Sequence, residues 1–283
     1  MKNILRGIVF IILFVMSITA SCQVDSENEE FAYYCPMCQS RCDENEFDKP
    51  GVCEPCGMAL VKQSKKERKK LMIENSQRPS IAFYLQNGIE VLDFAGPLEV
   101  FTYAGFQVFT VSKTTDPILS QGVLNVIPDY DITNAPQADI LAFFGGNPGV
   151  ALQDKEVMKW IKDQESEVDY FFSVCTGAFI LGQAGLLDDQ TVTTFHMAIE
   201  NLQKSFPKAK VLSNVRYVDN GRVITTAGIS AGIDGALHLV AKIMGAEVAT
   251  RTVDYMEYDK WVANEGLIMD SEQPKETKVD SNH

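Results

Sequence analysis

From Ser80 onward, short unbroken apolar runs alternate with stretches whose apolar positions recur every three or four residues. The runs IAFYL (81–85), QVFTVS (107–112), DILAFFGG (139–146) and VDYFFSVC (168–175) are rich in β-branched and aromatic residues. Runs apolar at successive positions predict strands covered on both faces, whereas one-sided strands would alternate apolar with polar. Between them, helical spacing predicts helices over Val91–Tyr103, Asp154–Glu165 and Gly177–Leu187. The stretch KVLSNVRYVDNGRVITTAG predicts a hairpin turning at Asp219-Asn220-Gly221, and Ser230–Met244 a further helix. Strands alternating with helices imply an α/β domain with a mostly parallel sheet sandwiched by helices. In such sheets ligands sit beyond the carboxyl ends of the strands.

Three glycine-bearing strand ends point to that place: Gly145-Gly146, Cys175-Thr176-Gly177 and Ala227-Gly228. In FFSVCTGA a lone thiol stands where a predicted strand gives way to a predicted helix. Such a corner presents a side chain to the cavity above the sheet, the logic of a nucleophile elbow. A helix N-terminus favours the thiolate, so Cys175 is expected to titrate below an ordinary thiol. Backbone N–H groups at Thr176 and Gly146 would face a developing negative charge. A buried cysteine of purely structural role suits the same position, and position alone does not choose between the two.

The front of the chain has a different character. Of seven cysteines, five crowd into residues 33–61, apart from Cys22 and Cys175. The pairs Cys35/Cys38 and Cys53/Cys56 are separated by 14 residues. Each C-x-x-C turn aims two thiolates at one point, and two such turns close a tetrahedral site. Zinc or a cuprous ion suits those soft ligands, one per module. Two disulfides are the alternative staple for a segment too poor in apolar residues to build a core. Cys42 is extra and is not assigned as a ligand. The basic run Lys62–Lys70 predicts a solvated linker helix.

Charge and the two ends complete the layout. A net charge of −13 argues against a nucleic-acid partner, because phosphate binding needs a basic footprint. Lys2 and Arg6, then an apolar stretch from Ile8 to Ile18 and small residues before Cys22, read as a targeting segment. The expected division is 1–22 signal, 23–32 tether, 33–61 cysteine-rich module, 62–79 basic linker, 80–265 α/β domain and 266–283 polar tail.

Three resemblances add to this reading. The start resembles a bacterial lipoprotein signal, with Cys22 as the lipidated residue, which implies an exported, membrane-anchored protein. Tyr34-Cys35-Pro36-Met37 and Pro50–Leu60 (PGVCEPCGMAL) resemble the heavy-metal-binding domain of copper and silver efflux proteins, with Cys38 where that pattern has histidine. NGIEVLDFAGPLEVF (87–101), FFGGNPG (143–149), SVCTGAFILGQAGLLDDQTVTTFH (173–196) and TTAGISAGIDGALHLV (225–240) resemble the ThiJ/PfpI superfamily, with its flavodoxin-like, glutamine-amidotransferase-like fold. The likeness is nearest to isonitrile hydratases and to the amidase-like domain of AraC-type regulators. It implies Cys175 as nucleophile, Thr176 beside it, Asp93 as the acidic residue on the first helix, and Gly146 on the oxyanion loop. It also implies a small-molecule substrate, no cofactor for catalysis, and a homodimer through the α/β domain. Thr176 stands where the peptidase-like members carry histidine. Thr193-Thr194-Phe195-His196 places the histidine one residue later than the hydratase pattern Thr-Thr-His-Trp, so His196 is expected not to act. The implied reaction is hydration of an isonitrile through a Cys175 thioimidate. Another hydrolase, amidase or glyoxalase-type activity, and a non-catalytic metal-handling or thiol-sensing role, are the alternatives.

Overall fold

The computed structural model of the chain describes residues 30–36, 41–263 and 265–269. Cys22 and Cys38 lie outside them. Among the described residues, no helix is long and apolar enough to cross a membrane.

The large sheet has eight strands. From one edge they are Leu267–Ile268, Tyr217–Asp219, Val223–Thr226, Tyr170–Val174, Ile140–Phe143, Ser80–Tyr84, Gln107–Ser112 and Tyr130–Asp131. Every neighbouring pair is parallel except the expected hairpin of Tyr217–Asp219 with Val223–Thr226. Successive residues of a strand point to opposite faces, and here both faces are covered. Phe83, Ile140, Phe172 and Val174 join one core with Phe94, Val100 and Leu237 of helices Val91–Ala104 and Ala231–Met244. Phe143, Leu141 and Phe171 join another with Val157, Ile161, Ile180 and Leu181 of helices Lys155–Asp163 and Ala178–Gln183. Each large apolar side chain so buried contributes about 1.5–3 kcal/mol, which explains why the central runs carry no polar alternation.

The helix after Cys175 is shorter than its spacing predicts. A 3-10 turn over Cys175–Gly177 precedes only six helical residues, Ala178–Gln183. Helix Ala246–Tyr255 and the small hairpin Ile118–Ser120/Leu124–Val126 were not anticipated. Leu267–Ile268 adds the outermost strand, so the sheet continues into the stretch that composition assigns to a polar tail.

Ahead of this domain, Glu46–Phe47, Phe31–Tyr34 and Val61–Ser64 form a small antiparallel sheet. The basic run therefore begins inside the module. Ser64 then caps helix Lys65–Ser76, its hydroxyl accepting from the Glu67 N–H at 3.2 Å. That helix is solvated, as expected, except at Arg68. Its buried guanidinium donates to the Cys35 carbonyl at 3.1 Å and to the Asp43 carbonyl, and lies over the Tyr34 ring. At the far end, Gln107 Nε2 donates to the Asn75 and Arg78 carbonyls at 2.6 and 3.1 Å. The helix thus ties the module to the amino-terminal ends of the strands, opposite the end that carries Cys175.

Candidate active site

Asp93 and Cys175, 82 positions apart, meet across Gly145. Asp93 is wholly buried in the first turn of helix Val91–Ala104. Its Oδ2 accepts the Gly145 N–H at 3.0 Å and its Oδ1 accepts the Ile229 N–H at 2.9 Å. A Cβ built on Gly145 would stand 2.6 Å from Asp93 Oδ2 and 2.8 Å from Cys175 Sγ. Only a residue without a side chain lets the thiol and the carboxylate approach each other here.

The backbone at the thiol is strained, as an elbow requires. Cys175 has φ +58°, a left-handed conformation uncommon for any residue but glycine. Its N–H donates to the Ala227 carbonyl at 3.2 Å, and its carbonyl accepts from the Thr194 hydroxyl at 2.7 Å. These bonds hold the strain in place. Ile229 is strained in the same sense, with φ +59° on a β-branched residue, and that conformation accompanies the N–H it gives to Asp93. Gly145 was named from sequence only as part of the strand end Gly145-Gly146, and Thr194 and Ile229 were given no role there. Ile229 and Gly145 act through the backbone and leave no side-chain signal.

Burial decides the electrostatics. It raises the Asp93 carboxyl to about 6, over the opposing hydrogen bonds from Gly145, Cys175 and Ile229. Cys175, 6% exposed, is pushed up to about 12, by burial first and then by the negative charge of Asp93. This reverses the low pKa expected from a helix N-terminus. The helix behind the thiol has only six residues, and its favourable field is outweighed by desolvation and a facing anion. From about pH 6 to about pH 12 the pair therefore holds one proton, on sulfur, with Asp93 ionised as its neighbour. The resting thiol is not a preformed nucleophile; its base stands beside it. Alkylation of Cys175 by iodoacetamide at pH 7 will be slower than that of an ordinary exposed thiol. It will accelerate in Asp93→Asn, which withdraws the facing charge. Fast labelling at neutral pH in the unaltered protein, followed by peptide mass mapping, would contradict this.

The other residues named from sequence fall into place around this pair. The Thr176 hydroxyl oxygen is buried beside the thiol, and among the described residues it has no oxygen or nitrogen partner, only the neighbouring sulfur, whose pKa it lowers. Gly146, expected on the oxyanion loop, is exposed, with φ +94°. A Cβ there would strike the Gly88 carbonyl, so its lack of a side chain lets loops 86–90 and 145–147 close on each other. The glycine that meets the thiol is Gly145. His196 is exposed at the head of a 3-10 turn, while Phe195 packs inward over Gly228. The one-residue displacement thus sends a phenyl ring to the core and the imidazole to solvent. His238 is buried but bonded to Asp219 at 2.8 Å, an acceptor that also takes Lys242. Asp234 is structural, holding Arg216 Nε at 2.6 Å and the Tyr258 hydroxyl at 3.0 Å.

In the small module the sulfurs of Cys35, Cys42, Cys53 and Cys56 all lie within 4.8 Å of one another. Cys35 Sγ is 3.1 Å from Cys56 Sγ and 3.6 Å from Cys42 Sγ. A tetrahedral ion with bonds of about 2.3 Å to sulfur sets an edge of about 3.8 Å, so the four thiols fit one such ion. The Cys53–Cys56 turn is closed by the Cys53 N–H on the Met58 carbonyl at 2.8 Å and the Gly57 N–H on the Cys53 carbonyl at 2.7 Å. Cys42, left unassigned from the spacing, is a member of this group.

Comparison with known proteins agrees with both units. Residues 79–242 match the DJ-1/PfpI family, and residues 32–63 match the heavy metal binding domain. An isonitrile hydratase of Pseudomonas putida is 33% identical over 180 residues, 63% of this chain and 78% of that protein. The HTH-type transcriptional regulator GbdR of Pseudomonas aeruginosa is 24% identical over 194 residues, 66% of this chain. The chain spans about half of that regulator's length, 53%. The crystal structure of a ThiJ/PfpI family protein from Pseudomonas syringae superposes with a TM-score of 0.60 at 30% identity, covering 64% of this chain and 76% of that one.

Proposed function

The chain belongs to the DJ-1/PfpI family and carries a heavy-metal-binding domain, and from that premise we propose that it hydrates a small isonitrile through Cys175. The observation that carries this reading is a buried carboxylate and a buried thiol facing each other across Gly145. In the first step sulfur bonds to the terminal isonitrile carbon. Its proton passes to Asp93 and on to that carbon, leaving a thioimidate, R–N=CH–S–Cys175. Water then adds to the same carbon, and Asp93 moves its proton to nitrogen. The C–S bond breaks as the remaining hydroxyl proton returns to sulfur, and an N-substituted formamide leaves. The buried Thr176 hydroxyl, beside the sulfur, is available to the polar intermediate.

The raised thiol disfavours the sensing alternative, because oxidation follows thiolate character. An amidase or other hydrolase would use the same pair. The module is read as the holder of one thiophilic ion, zinc or cuprous. The chain is read as exported and lipid-anchored at Cys22, and as pairing through its α/β domain.

Proton NMR of the protein with a small alkyl isonitrile tests the reaction, since the formamide proton appears as product forms. Catalytic formamide release is expected. Consumption of an amide or a small aldehyde with no formamide would transfer the pair to one of the other activities.

A further inference from the structure

The thiol is held from behind by a side chain that the proposed chemistry does not use. Thr194, 1% exposed, donates its hydroxyl to the Cys175 carbonyl at 2.7 Å. We propose that Thr194 is a positioning residue: through that carbonyl it keeps the corner in its left-handed form and so sets how closely the sulfur stands to Asp93. This role rests on the reading of Cys175 as the nucleophile.

Three observations carry it. First, a positive φ on a residue other than glycine persists only where its surroundings over-determine it, and Cys175 has φ +58°. Its two backbone bonds are unequal. The N–H reaches the Ala227 carbonyl at 3.2 Å, whereas the carbonyl takes the Thr194 hydroxyl at 2.7 Å. The shorter bond is the one made by a side chain. Second, its support is fixed. The strand Thr191–Val192 pairs with Lys210–Val211, and the Thr193 N–H donates at 2.9 Å to the hydroxyl of Thr225, on the strand beside the one that ends at the thiol. Third, the front of the corner is filled. A Cβ on Gly177 would stand 2.4 Å from the Phe143 carbonyl, and one on Gly145 would stand 2.7 Å from the Cys175 Cβ. A buried carbonyl deprived of its donor is costly, so without the Thr194 hydroxyl the left-handed form loses its offset. The corner then relaxes, and with its front blocked the sulfur swings away from Gly145 and Asp93.

The test compares Thr194→Val, Thr194→Ala and Thr194→Ser with Thr193→Val, all in the full chain. Thr193 is also buried, but its hydroxyl donates to the Leu212 carbonyl at 2.9 Å and not to the corner. Two readouts are taken: formamide release from a small alkyl isonitrile, split into kcat and KM, and the rate of Cys175 alkylation by iodoacetamide at pH 7. Thr194→Val and Thr194→Ala should lower kcat by about 10–100-fold with KM little changed, because misplacing a reacting group by roughly 1 Å costs up to about 100-fold. Alkylation should accelerate in both, since the sulfur leaves a facing negative charge. Thr194→Ser should restore both readouts. Thr193→Val should keep both near the parent's, even where its melting temperature falls. Parental kcat and alkylation in Thr194→Val or Thr194→Ala, or equal losses in Thr193→Val, would overturn the role of Thr194. A parent that releases no formamide would remove the hydration reading, and the alkylation contrast between Thr194→Ala and Thr194→Ser would still decide whether Thr194 places the thiol.

Discussion

Replacing Cys175 by Ala will abolish formamide release, by on the order of 10⁴-fold or more, because no other group can form the carbon–sulfur bond on which the remaining steps depend. The change removes one sulfur from a buried position and leaves the φ of +58° to be held by the same Ala227 and Thr194 bonds. The melting temperature should therefore move by only a few degrees. Circular dichroism alongside the NMR assay separates loss of chemistry from loss of fold. His196→Asn serves as the contrast: its ring is exposed and lies edge-on against Phe195, so turnover should stay close to the parent's. Turnover surviving in Cys175→Ala would remove the covalent mechanism altogether.

Asp93→Asn is the second large effect. It keeps the side-chain volume and takes away proton transfer, which contributes about 10²–10⁴-fold. The parent's rate should fall on the acid side of about pH 6, where Asp93 gains a second proton for the pair and ceases to be a base. That limb should vanish in the variant, leaving a low, flat profile. Stability supplies an independent check. The Asp93 carboxyl in the folded chain titrates at about 6, above its ordinary value of 3.8. Its favourable contribution is thus complete below about pH 4 and is lost as the pH rises through 6. At neutral pH the buried charge costs on the order of 3 kcal/mol. Asn removes that cost, but one amide oxygen cannot accept from both Gly145 and Ile229, and an N–H left facing an NH₂ costs about 1–3 kcal/mol. The two nearly cancel at pH 7. The Tm should change little there, while the parent's decline between pH 4 and 6 disappears. A variant retaining a third of the rate, or an acid limb that persists, would assign the proton to another group.

The fold was legible because burial on both faces of a parallel sheet forces apolar residues at successive positions. Phe171-Phe172 and Ile140-Leu141 state that requirement locally, and Asp154 at the head of its helix marks a boundary by capping two backbone N–H groups. Cys175 was legible for a related reason, since a strand that ends in Cys-Thr-Gly before helical spacing announces a corner. Asp93 was found only by likeness to relatives, because an acidic residue in a first helical turn also suits an ordinary helix start. What the thiol does was decided elsewhere. Its pKa depends on an anion 82 positions away and on a burial that no local pattern encodes, and together these reversed the influence of a short helix. Gly145 between the thiol and the carboxylate, Cys42 beside Cys35, Cys53 and Cys56, and the inward Phe195 were settled in the same way. Periodicity along the chain reports which residues leave water; which of them touch, and how their charges act on each other, is determined only when separate segments are brought within a few ångströms in a poorly solvated interior.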